Sequence, residues 1–98
     1  MALTGKYNFE LLKNEAEEMV FSELERQIEA FEGEICTCND CVVDMAAMAL
    51  NKVKPCYRFS LLGTLYATQA VNEESYALSI REAVSNAIEK VRTNPSHG

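Results

Sequence analysis

Three cysteines fall within six residues, Cys36-Thr37-Cys38-Asn39-Asp40-Cys41, a density that packing alone seldom produces. Cys38 and Cys41 stand in the C-x-x-C spacing that lets two thiolates reach one tetrahedral ion, and Cys36, two residues earlier in extended chain, closes from the side. Soft thiolates select zinc, although the same spacing admits iron. An adjoining helix N-terminus favours thiolates through its partial positive charge. Cys56 is the candidate fourth ligand, yet a straight helix from Cys41 to about Val53 puts it roughly 20 Å away, at about 1.5 Å per residue. It completes the site only from a neighbouring subunit or if that helix is broken; water, a carboxylate or His97 are the substitutes. Two other readings stay open: reduced thiols with no ligand, and a redox pair at Cys38 and Cys41, which lacks the surrounding βαβ pattern.

A second constellation follows in Leu50-Asn51-Lys52-Val53-Lys54-Pro55-Cys56-Tyr57-Arg58. It combines cations, an amide, a proline-fixed turn and an aromatic ring, which is equipment for a phosphate-bearing ligand with a base to stack. Lys52, Lys54 and Arg58 would meet phosphates, Asn51 would orient and Tyr57 would stack. The ordinary alternative is that lysines near a helix C-terminus complement its dipole while Tyr57 packs on the core.

No enzyme is expected. The single histidine, His97, lies near the chain end, and the four glycines are scattered at 5, 33, 63 and 98 with no phosphate-cradling loop. The glutamates read as a solvated helix face rather than paired catalytic carboxylates.

The elements that must position these residues are helical. A chain of 98 residues fits one domain and buries only about two-thirds of its unfolded surface, so a bound metal and a homo-oligomer are expected aids. The net charge of −6 argues against wrapping a nucleic-acid polymer. Nine glutamates lie from Glu10 to Glu34, whereas Lys52, Lys54 and Arg58 follow with no acid among them. The N-terminus lacks a signal-peptide pattern and no apolar run is long enough to span a membrane, so a cytoplasmic location is expected, where structural disulfides are disfavoured.

Asn14-Glu15-Ala16-Glu17 matches a capping box opening a first helix, whose stripe is Ala16, Met19, Val20, Leu24, Ile28 and Phe31, with Gly33 placed to end it. Tyr7 to Leu12 forms one more apolar turn or a docking arm. Val42 to Leu50 is apolar almost all round, which predicts a central buried helix, capped by Asp40 and stopped by Pro55. Gly63 reads as a turn, Thr64 to Val71 as helical, and a break at Asn72 precedes a last helix to about Arg92. Its stripe is Ala77, Ile80, Val84, Ala87, Ile88 and Val91, suited to packing on another helix within the chain or across a dimer. The domain is thus expected at 14–93, after an arm at 1–13 and before a flexible tail at 94–98. The fold class is all-α, a small domain of about four helices that forms a homodimer.

The pattern C-x-C-x-x-C-x-x-D of Cys36, Cys38, Cys41 and Asp44, then Ala49-Leu50-Asn51-Lys52 and Pro55-Cys56-Tyr57, resembles the late competence development protein ComFB family. The resemblance extends from about Asn14, through a first helix like Glu17 to Ile28, to the closing Val91 to Pro95. It implies a non-enzymatic, dimeric, all-helical domain, with zinc held by the cysteines in the branch that carries them. It also implies a receptor role, since ComFB-like domains include binders of cyclic di-GMP tied to competence or motility. Cys56 falls at the variable position of P-x-Y. The alternative is a protein-interaction adaptor with structural zinc and no small ligand, docking through its acidic or final helix.

Overall fold

The computed structural model describes residues 3–63, 65 and 73–95. Among the described residues three helices with complete bounds carry the fold: α1 (Glu15–Ala30), α2 (Asn39–Leu50) and α3 (Glu74–Thr93). Among the described residues the only sheet is a two-stranded one, β1 (Lys13–Asn14) antiparallel to β2 (Tyr57–Arg58), with Lys13 opposite Arg58 and Asn14 opposite Tyr57. The helical class expected from the sequence stands, with that short ladder added.

Asn14 starts α1 as its residue type dictates: its side-chain oxygen accepts the Ala16 N–H at 3.1 Å, supplying one of the first-turn donors with a partner. The same oxygen accepts the Cys56 N–H at 2.8 Å, and the Glu15 N–H donates to the Cys56 carbonyl at 2.8 Å. One amide therefore caps a helix and ties it to a segment 42 residues on. The exit of α1 differs from expectation. Phe31 turns extended and donates to the Ile28 carbonyl, and Gly33, with a φ of +112°, redirects the chain two residues later rather than capping the helix. That left-handed backbone is what reserves the position for glycine.

The core is where the three helical stripes meet. Ala16, Val20 and Leu24 of α1 face Cys41, Met45 and Ala49 of α2 and Ile80, Ala83, Val84, Ala87, Ile88 and Val91 of α3, all buried. Spacings of three and four residues put each set on one face. Met45, fully buried, contributes about 1.5–3 kcal/mol by leaving water. Each helix touches both others, with α2 most extensively against α3.

The all-round burial that the composition of α2 predicts does not hold. Val43 stays 57% exposed and Ala47 faces solvent, because only the Cys41-Met45-Ala49 line points between α1 and α3. Its N-cap is Cys38 and not Asp40, which lies in the first turn. The helix ends at Leu50, and the Val53 N–H still reaches the Ala49 carbonyl at 3.2 Å, so a last loose turn precedes Pro55.

The N-terminal arm contains two 3-10 turns, Leu3–Gly5 and Phe9–Leu11, with Tyr7 and Phe9 packed edge-on and still half exposed. Gly63 falls in a helical turn at 61–63 rather than at a bend, its N–H donating to the Ser60 hydroxyl at 3.1 Å. Most of the helix expected at Thr64 to Val71, the break at Asn72 and the end of the tail lie outside the described residues. No helix among the described residues is long and apolar enough to cross a membrane.

Candidate metal centre and the opposite end of its helix

The chain arrives at α2 extended, so Cys36 precedes the helix, Cys38 occupies its N-cap and Cys41 sits in the first turn. This places three sulfurs within 4.8 Å of one another. Cys41 is buried in the core, Cys36 is half-buried and Cys38 is exposed. The Cys38 sulfur accepts the Cys41 backbone N–H at 3.4 Å, doing for the helix what an oxygen cap does elsewhere.

That geometry separates the thiols electrostatically. The Cys41 N–H, foremost, holds the Cys38 thiol below its ordinary range against the opposing cost of burial, with the Cys36 and Cys41 thiols and the Asp40 N–H adding to the lowering. At Cys36 the Cys38 N–H pulls downward, but the Cys38 thiol, burial and the Cys41 thiol together leave it raised. Cys38 is thus the first of this pair to become a thiolate.

Zinc–sulfur bonds of about 2.3 Å in a tetrahedron set sulfurs about 3.8 Å apart, so three sulfurs within 4.8 Å close on one ion with a small contraction. The donor set fits a soft metal and leaves a fourth position. Among the described residues the cluster contains these three alone. Cys56 stands beyond the other end of α2, its backbone engaged by Asn14 and Glu15. Burial pushes the Tyr76 phenol up, with Cys56 adding to the rise. His97 lies outside the described residues.

The structure brings the second constellation to the C-terminal end of α2 but gives its members different duties. Asn51 is exposed and closes the helix with its backbone, donating to the Ala47 and Ala49 carbonyls. Lys52 and Lys54 are exposed, and no described acid forms an ion pair with either. The Lys54 carbonyl accepts the Tyr76 hydroxyl at 2.6 Å, fixing the backbone between them. Tyr57 is 58% exposed on β2. Arg58 is half-buried and ion-paired with Glu15 at the start of α1.

Sequence reasoning missed what Lys52 faces. A cleft of about 290 Å³ opens between α2 and α3, bounded by Met48, Lys52, Glu82, Asn86 and Lys90. Ser79, Glu82, Asn86 and Lys90 recur at steps of three and four beside the apolar stripe, a periodicity that could have marked one polar edge of α3.

Residues 13–95 match the family described as late competence development protein ComFB. No curated protein matches the chain. Among solved structures, the late competence protein ComFB from Bacillus subtilis is similar in fold, with a TM-score of 0.70 and 24% identity over 88% of this chain and 93% of that one. The chain belongs to the ComFB family of late competence development proteins.

Proposed function

We propose that the protein is a non-enzymatic regulatory receptor that binds cyclic di-GMP at the C-terminal end of α2, while zinc on Cys36, Cys38 and Cys41 fixes the helix at its other end. The observation that carries the reading is the exposed pair Lys52 and Lys54, without described acidic partners, in a chain of net charge −6. Free ammonium groups beside an amide and an exposed ring suit a phosphodiester with bases. Lys52 and Lys54 meet phosphate, Asn51 orients and Tyr57 stacks. Arg58 joins only by releasing Glu15.

A homodimer is part of the proposal. Phe21, Leu24, Ile28, Val42, Val43 and Ala46 line an apolar groove of about 600 Å³ between α1 and α2, edged by Glu25 and Glu29. A second copy removes that surface from water. Calorimetric titration of the zinc-loaded protein with cyclic di-GMP tests the receptor reading: saturable heat supports it, and no binding near about 100 μM, the ceiling for a useful signal receptor, rejects it. A protein adaptor would instead keep a protein partner through Lys52→Glu and show no response to nucleotide.

A further inference from the structure

We infer that the apolar groove between α1 and α2 is filled by the N-terminal arm of a second copy of this chain, each protomer of the homodimer lending its arm to the other. This rests on the homodimer reading and names the segment that makes the contact.

Residues 3–12 are folded, yet their apolar side chains stay off the core. Among the described residues their hydrogen bonds close within the arm: the Lys6 and Tyr7 N–H groups donate to the Leu3 carbonyl, Glu10 to the Asn8 side chain and Leu12 to the Phe9 carbonyl. Tyr7, Phe9, Leu11 and Leu12 remain between 46% and 52% exposed. None of the four joins the core or the half-buried residues packed against it. Covering such side chains is worth about 25 cal/mol per Å², a gain that the arm's own fold leaves unrealised. The ladder of β1 on β2 holds Lys13 and Asn14 against Arg58 and Tyr57, so the arm hangs from a fixed point as a unit available for exchange.

The groove matches the arm in shape and in charge. Phe21 of α1, 49% exposed, and Val43 of α2, 57% exposed, both open onto it. At about 600 Å³ it has room for more than one large side chain. Its charged lining is wholly acidic: Glu25 and Glu29 are exposed, neither is ion-paired among the described residues, and no lysine or arginine accompanies them. The arm has the opposite balance, with Lys6 and Lys13 against Glu10, and neither lysine has a described acidic partner. Apolar side chains therefore meet at the centre while lysines meet glutamates at the rim. No residue of the chain's own arm lines the groove. Exchange between two copies fills both grooves at once and closes with two-fold symmetry.

The test is analytical ultracentrifugation of the full zinc-loaded chain, comparing the wild type with Phe9→Asp in the arm and Val43→Asp in the groove, with far-ultraviolet circular dichroism confirming fold. Each variant alone is expected to weaken dimerisation by roughly tenfold or more, the loss that follows when an anchor leaves its pocket. Mixed together, the two recover part of it, because the Val43→Asp chain brings an intact arm to the intact groove of the Phe9→Asp chain. A Phe9→Asp variant as dimeric as the wild type, or a mixture without recovery, overturns the arm assignment and leaves the homodimer standing. So does an undiminished dimer for Val43→Asp, a measurement that Phe21→Asp supplies if Val43→Asp fails to fold. A wild type that is monomeric at about 100 μM overturns both the exchange and the homodimer.

Discussion

The Cys38 sulfur accepts the Cys41 backbone N–H at 3.4 Å, so the residue that caps α2 is also one of three whose sulfurs lie within 4.8 Å of one another. Capping and metal binding are distinct contributions, and a pair of substitutions separates them. Serine retains a cap acceptor but is no thiolate; alanine removes both. With metal chelated, Cys38→Ala is expected to unfold about 1 kcal/mol more easily than Cys38→Ser, the usual worth of a cap. With zinc present, both lose the wild-type stabilisation by metal. Denaturant midpoints with and without chelator check this; equal midpoints for the two apo variants would contradict the capping role.

Asn14 links α1 to the segment before β2 through a single oxygen. Replacing it with alanine strips the cap and leaves the Cys56 N–H without that acceptor. A loss of roughly 1–3 kcal/mol is expected from the two effects. Asn14→Asp, which keeps an acceptor, is expected to recover most of it in thermal melts.

Arg58 is expected to matter more to the fold than to the ligand, since its guanidinium pairs with Glu15 across 43 residues. Arg58→Ala is expected to lower stability by about 1 kcal/mol, the upper end for a partly exposed pair, and to weaken cyclic di-GMP less than Lys52→Ala does. Parallel melts and titrations distinguish this from a direct phosphate contact, which would reverse the order.

Glu23 gives the fold an acid dependence. Its hydrogen bond from Arg26, opposed by burial and aided by Gln27, holds the carboxyl below its ordinary range, and Gln27 also donates to the Arg81 carbonyl of α3 at 3.0 Å. A folded pKa below the unfolded one means the contribution is complete above the ordinary carboxylate range and is lost as pH falls through the folded value. Glu23→Gln is therefore expected to flatten part of the acid limb in denaturant midpoints measured from neutral to acid pH.

The helical stripes were legible because burial follows spacing: Ala16, Val20 and Leu24, and Ile80, Val84, Ala87, Ile88 and Val91, all lie in the core. The cysteine cluster was legible because its members are near neighbours in the chain. Other features depend on distant contacts. Asp40 outranks a cysteine as a cap by residue preference, but the chain enters α2 two residues earlier, at Cys38. Strands of two residues each carry no alternating pattern to read. The exposed side of α2 could not be told from a buried one, since Val43 and Met45 are both apolar. The ion pair of Arg58 and the cleft opposite Lys52 both depend on how helices meet.

With the clip and the proposed ligand at opposite ends of α2, a native mass spectrum of the protein titrated with cyclic di-GMP addresses both at once. The expected result is a dimer with one zinc per chain that gains the mass of the nucleotide while retaining its metal. A zinc-loaded protein that gains no nucleotide at about 100 μM, or one that takes it up only after losing zinc, would contradict the account.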